Sequence, residues 1–191
     1  MSILSVVGKL TRGLRAGEER LIRHRPDFEG LPVSIQVTSP AFADGQPMPA
    51  KYTVSGEDVS PPLAWSDLPT GTRDLALVVE DYDISLPTPM VHLIAYHLDI
   101  PAGSLAEGAL PSRDSAGVLS TARLGKNGLG FSRYDGPAPP PGHGTHHYVF
   151  QLFALGRRLE IAPHATRDIL LYGMKGHVLA LGTLTGTFER E

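Results

Sequence analysis

Apolar and polar residues alternate strictly along Val33-Ser34-Ile35-Gln36-Val37-Thr38, as in a strand with one buried face. Three further segments are dominated by apolar residues: Leu75 to Val79, Val91 to Leu98 and Tyr148 to Leu155. Their pattern predicts strands covered on both faces. Ser60-Pro61-Pro62-Leu63-Ala64-Trp65 reads as extended, because its prolines forbid helix, and Trp65 follows as a core anchor. Val178 to Phe188 predicts a last strand of β-branched and apolar residues. Just before it, Thr166 predicts the cap of a short helix running to about Lys175, ended by Gly176. Residues 101–146 are rich in Gly, Pro and Ser and read as long ordered loops. Such loops are uncommon in a compact domain unless they serve function.

The first thirty residues follow another period. Ile3, Leu4, Val7, Leu10, Leu14, Leu21 and Ile22 fall near helical spacing with basic residues between them. One reading is a solvated helix packed on the domain or on a second copy of it. The other is a membrane-surface or partner helix. The apolar side is thin, and Glu18 and Glu19 dilute the positive charge, which favours the first. The expected organisation is an N-terminal helical extension over residues 1–30 and one β-rich domain over residues 31–191.

Composition narrows the class. At 191 residues, 41% hydrophobic and 19% charged, the chain has an ordinary globular balance. Its 21 glycines and 17 prolines suit many short strands joined by turns. A net charge of −3 lacks the basic footprint of a nucleic-acid binder. Absence of cysteine excludes disulfides, a catalytic thiol and cysteine metal sites. No run approaches the roughly 18 apolar residues of a membrane span. Ile3 to Val7 is short, has no positive charge before it and is interrupted by Lys9, a poor export signal. A cytoplasmic protein without a cofactor is the expectation.

Three segments carry candidate chemistry. Glu80-Asp81-Tyr82-Asp83 directly follows an apolar strand, where carboxylates are costly to desolvate unless they gain partners. Asp81 and Asp83 fall on one face of an extended chain, although aspartates also cap turns. His92 opens the next apolar run; His97, five positions on, falls on the opposite face and reads as structural. From Tyr134 to Tyr148, four prolines lie within residues 137–141, and glycines flank them. Such a loop orders its own backbone and can hold one wall of a binding site, or serve only as a rigid connection. His146 and Tyr148 alternate onto one face as the strand begins.

In this order and spacing the segments resemble the phosphatidylethanolamine-binding protein family, in its bacterial Raf-kinase-inhibitor-like branch. The resemblance rests on Asp81-Tyr82-Asp83, His92, Tyr134 through Tyr148, Ser60 through Trp65, Gly125-Lys126-Asn127 and Leu184 through Phe188. Tyr82 stands where that family has a proline, Ser85 where it often has another, and His147 where it has an arginine. The resemblance implies a mainly β fold: a sandwich of two antiparallel-rich sheets with Greek-key connections and a few short helices. It implies a ligand pocket lined by Asp81, Asp83, His92, Gly136, Pro139, His146 and Tyr148, taking phosphate or a phospholipid headgroup such as phosphoethanolamine. It further implies that histidine N–H groups and the Tyr148 hydroxyl donate to anion oxygens, with Asp81 orienting a histidine and Asp83 fixing the loop. Homodimerisation, and regulation of a kinase or protease partner, are further implications.

Two other functions remain open in the sequence. Aspartates and histidines in one pocket suit a metal-dependent or acid–base hydrolase, although no Gly-x-Ser-x-Gly or His-Glu-x-x-His occurs. A kinase or protease inhibitor acting through its surface is the second.

Overall fold

The computed structural model describes residues 3–118 and 121–191; the side chains of Ile3 and Leu4, part of the expected helical stripe, lie outside the described residues. Helix α1 spans Ile3–Thr11, and 3₁₀ turns follow at Glu18–Arg20, Ile22–His24 and Pro26–Phe28. Strands β1 (Gln36–Thr38), β3 (Leu63–Ser66) and β6 (Ser104–Leu105) form a three-stranded sheet in the order β1-β3-β6. The second sheet contains β2 (Gln46–Pro47), β4 (Asp74–Asp81), β5 (Met90–Tyr96), β7 (Arg123–Leu124), β8 (His146–Leu155) and β9 (Val178–Phe188). Its order is β2-β9-β8-β4-β5-β7, and all its neighbours run antiparallel except β2 and β9. Within it β4, β5 and β7 are consecutive, and β8 returns to lie beside β4, the Greek-key arrangement.

Both faces of the larger sheet are covered, which explains the unbroken apolar character of β4. Leu75, Leu77 and Val79 point into the space between the sheets with Trp65, Ile35, Phe150 and Leu152. Ala76 and Val78 point the other way, onto Ile22, Phe28, Leu170 and Met174. Residues 21–31 and helix α2 (Arg167–Met174) therefore cover the outer face. Thr166 caps α2 by accepting from the Ile169 N–H, and Gly176 takes the positive φ that follows its end. His97, also at positive φ, bonds Asp74 through Nδ1 at 2.8 Å and acts structurally.

The alternation of β4 continues into its polar end. Glu80 joins the outer-face side and is fully buried. Its carboxylate accepts from Arg167 Nε at 2.7 Å, from Gln151 Nε2 at 2.8 Å and from the Ile22 N–H at 2.8 Å. Gln151 in turn accepts from the Arg23 N–H at 3.0 Å. The segment after α1 is thus fastened to the middle of the larger sheet.

Candidate functional site

The ends of β4, β5 and β8 meet at one end of the sandwich: Asp81 pairs with Met90 on one side and Tyr148 on the other. Pairing between β4 and β5 slips there. Val79 faces Leu93 but Glu80 faces Val91, so His92 is the unpaired residue of a β-bulge. A bulge re-aims its side chain. His92 turns towards the Tyr134–Pro141 loop, and its Nδ1–H donates to the Asp135 carbonyl at 2.6 Å. The Asp135 N–H donates back to the His92 carbonyl at 3.1 Å. With Nδ1 committed to an acceptor, Nε2 is the ring atom left for a ligand: an acceptor when the ring is neutral, a donor when it is protonated.

The loop is pinned at each step. Tyr134 donates its hydroxyl to the Tyr52 carbonyl at 2.9 Å. Asp135 accepts from Asn127 Nδ2 at 2.6 Å and from Arg133 Nε at 3.0 Å. The Gly136 N–H donates to Asp58 Oδ1 at 2.8 Å. A side chain on Gly136 would meet the Tyr52 carbonyl oxygen at 2.5 Å, so only glycine fits this approach. Burial, opposed by that Gly136 bond and reinforced by the charge of Asp135, holds the Asp58 carboxyl above its ordinary range.

These elements enclose a cavity of about 230 Å³. Asp81, His92, Gly136, Pro139 and Tyr148 line it, as do Arg113, Asn127 and Asp135, which sequence reading did not place there. Asn127 and Asp135 lay within the quoted motifs, but Arg113, in a Pro-Ser-Arg-Asp loop, gave no signal. Val54, Ile84, Met90, Leu129 and Ala138 make the remaining walls largely apolar. The Tyr148 hydroxyl is buried and has no hydrogen-bond partner of full geometry among the described residues, although the Ala138 backbone approaches it. Burial first, then the Asp81 charge, raises its pKa well above the usual tyrosine value, so it remains a donor.

Asp83 and His146 are not among the lining residues; they stand behind Asp81. Asp81 Oδ1 accepts from the Asp83 N–H at 2.8 Å, and Oδ2 faces His146 Nδ1 at 2.7 Å. His146, with no exposed surface, places Nε2 at 2.7 Å from His143 Nδ1. His143 Nε2 lies 3.0 Å from the Thr11 carbonyl and 2.9 Å from Ser85 Oγ. A carbonyl oxygen can only accept, which assigns the His143 proton to Nε2. His146 Nδ1 donates to the Asp81 carboxylate, and one proton lies between its Nε2 and His143 Nδ1. Asp83 accepts from the His147 N–H at 2.7 Å and pairs with Arg15 at 3.2 Å. Arg15 donates further to the carbonyls of Asp83, His143 and Thr145. Tyr82 and His147, the two departures from the resembled motif, stack on each other with rings 5.2 Å apart and nearly parallel. Among the described residues, no three His, Asp or Glu side chains are grouped as metal ligands.

Acid is expected to loosen this relay. Burial, followed by the charges of His146 and Arg15, holds the His143 pKa below its usual value, against smaller upward pulls from Thr11 and Asp81. An unfolded histidine takes its proton at about pH 6.5. Below that pH the unfolded chain binds more protons than the folded one, so stability present above it is lost as pH falls. Protection of the amides over residues 8–15, taken relative to intrinsic exchange at each pH, is expected to fall between about pH 7 and pH 5. In His143→Gln that fall disappears; a wild type whose protection is indifferent to pH would sink the assignment.

The class is a mainly β sandwich with a small pocket at one end. The family description phosphatidylethanolamine-binding protein matches residues 38–189, and the chain belongs to that family. A UPF0098 protein of Pyrococcus horikoshii is 36% identical over 159 residues, covering 83% of this chain and 78% of its own. The crystal structure of the phosphatidylethanolamine-binding protein homologue CT736 from Chlamydia trachomatis superposes with a TM-score of 0.73 at 36% identity, over 83% of this chain and 99% of that one. Escherichia coli YbcL, described as a member of the mammalian family, gives 0.75 at 25% identity with the same coverages.

Proposed function

We propose that the chain binds a small anionic or zwitterionic ligand of the phosphate or phosphoethanolamine type in the cavity beside Asp81, His92 and Tyr148, and that it is not a catalyst. The observation that carries this reading is the buried Tyr148 hydroxyl at the cavity wall, whose O–H has no acceptor among the described residues. An anion oxygen placed there accepts from Tyr148 and from protonated His92, with Arg113 supplying charge. The apolar walls suit a ligand with a hydrocarbon part next to its headgroup. Binding is favoured over hydrolysis because both oxygens of Asp81 and both of Asp135 already accept hydrogen bonds from the fold. Neither carboxylate is held ready as a base.

Titration with inorganic phosphate and with O-phosphorylethanolamine, followed by imidazole resonances, tests this. Both ligands are expected to shift His92 in the wild type. Tyr148→Phe is expected to weaken binding roughly tenfold or more, the loss of one hydrogen bond to a charged group. If neither ligand moves His92, the anion reading is withdrawn.

A further inference from the structure

One charge at the cavity is left over by the fold. Besides Tyr148, four titratable side chains line it: Asp81, His92, Arg113 and Asp135. Asp81 accepts from the Asp83 N–H and from His146, and Asp135 accepts from Asn127 and Arg133. His92 uses Nδ1 on the Asp135 carbonyl. Arg113 is exposed, and among the described residues its guanidinium makes no hydrogen bond and no ion pair. Asp58 feels its charge without bonding it, and Asp58 Oδ2 has no partner. A residue that lines a cavity and is also exposed stands at its mouth. The loop that carries Arg113 is tied down on both sides of it. Pro111 accepts from the Tyr134 N–H at 2.7 Å, and the Ser112 N–H donates to the Ser115 carbonyl at 2.9 Å. Gly117, at a φ of 62°, packs so closely that a Cβ there would lie 2.5 Å from the Pro111 nitrogen. The Pro111 bond joins this loop to the start of the Tyr134–Pro141 wall.

Donors and charge together define the class of ligand. The cavity offers an anion three donors: the Tyr148 hydroxyl, protonated His92 Nε2 and the Arg113 fork. A phosphomonoester has three free oxygens and a charge of about −1.5 to −2 at pH 7. A phosphodiester, the form in which a bilayer lipid carries its headgroup, has two free oxygens and a single charge. Only the monoester gives each donor an oxygen of its own. The carboxylates of Asp81 and Asp135 repel any anion, so the uncommitted cation decides how much negative charge the cavity accepts, and its pull grows with that charge. Size points the same way. At about 230 Å³ the cavity is smaller than the roughly 300–1,000 Å³ of most small-molecule pockets, and a diester brings a second substituent that must also be housed. Resting on the binding function proposed above, we propose that Arg113 is a specificity-determining residue that makes the cavity select phosphomonoesters over phosphodiesters. The ligand is then a free phosphorylated small molecule, not a lipid headgroup in place in a bilayer.

Calorimetric titration at about pH 7 with O-phosphorylethanolamine and with glycerophosphoethanolamine tests the proposal, since both carry the same ammonium arm on the phosphate. The wild type is expected to bind the monoester roughly tenfold more tightly than the diester. Arg113→Gln is expected to weaken the monoester roughly tenfold, the loss of one hydrogen bond to a charged group, and the diester, with about half the charge, roughly threefold. The preference then falls to about threefold. Arg113→Lys keeps the charge without the fork and is expected to lie between the two. Because Arg113 is exposed and unbonded, thermal unfolding is expected to be the same in both variants as in the wild type. Tyr148→Phe is expected to weaken both ligands alike, which separates the general donor from the selective one. An equal or inverted preference in the wild type, or a preference that Arg113→Gln leaves as it was, would overturn the role of Arg113 and leave the anion site standing. Binding of neither ligand would withdraw the anion reading and the selectivity with it.

Discussion

Glu80→Ala is expected to lower the unfolding free energy by about 3–5 kcal/mol, the range for breaking one partner out of a buried ion pair. The substitution strands the Arg167 guanidinium, the Gln151 amide and the Ile22 N–H at once. Against a total of about 5–15 kcal/mol, that is a large fraction. In a chain of this size it corresponds to a fall in Tm of roughly 6–20 °C. Urea unfolding monitored by circular dichroism measures the change. Glu80→Gln, which still accepts from Ile22, is expected to cost less. Leucine at 80 combined with Arg167→Met is expected to recover part of the loss, because no charge is then left unpaired. A loss below about 1 kcal/mol in Glu80→Ala would show that water replaces the carboxylate.

Asp81→Ala is expected to act both on stability and on the site. It leaves the Nδ1–H of the fully buried His146 and the Asp83 N–H without their acceptor. A loss of about 2–6 kcal/mol is expected, at about 1–3 kcal/mol for each buried donor left unsatisfied. The His146 ring is then no longer held, its contact with His143 loosens, and the Thr11 contact fails in sequence. Trypsin is therefore expected to cut after Arg12 much faster in Asp81→Ala than in the wild type, under conditions where both remain folded. O-phosphorylethanolamine affinity is expected to fall more than tenfold, since the cavity wall moves. Asp81→Asn preserves the Asp83 bond and is expected to unfold less readily while still releasing α1. If cleavage after Arg12 is unchanged in both variants, the relay from Asp81 to Thr11 is not what holds the helix.

The strands that form the core were legible because burial on both faces leaves an unmistakable mark. Leu75 to Val79 and Tyr148 to Leu155 lie in strands with those residues inside, and Val178 to Phe188 forms a strand buried in part. Thr166 and Gly176 bounded α2 by capping chemistry alone. Less was legible where a side chain's direction depends on a neighbour in space. Asp81 and Asp83 share a parity, yet the chain bends after β4, and only Asp81 reaches the cavity. His92 reaches it through a bulge that no sequence period announces. Arg113 joins them from a loop with no regular structure to index it. For α1 the helical spacing was readable, but not the approach of Gly8 to the Pro141 carbonyl, where a side chain would collide.

Two adjacent residues of β4, Glu80 and Asp81, hold the N-terminal segment from opposite faces of one sheet. Besides the nearby Ile22 and Asp83 N–H groups, their partners lie far along the chain: Glu80 meets Gln151 and Arg167, Asp81 meets His146, and Arg15 reaches His143 and Thr145. During synthesis the segment ahead of β1 therefore lacks part of its docking site until β8 has emerged and paired with β4. A nascent chain stalled before residue 146 leaves that segment without those bonds. At the usual rate of about 5–20 residues per second, that interval lasts on the order of ten seconds.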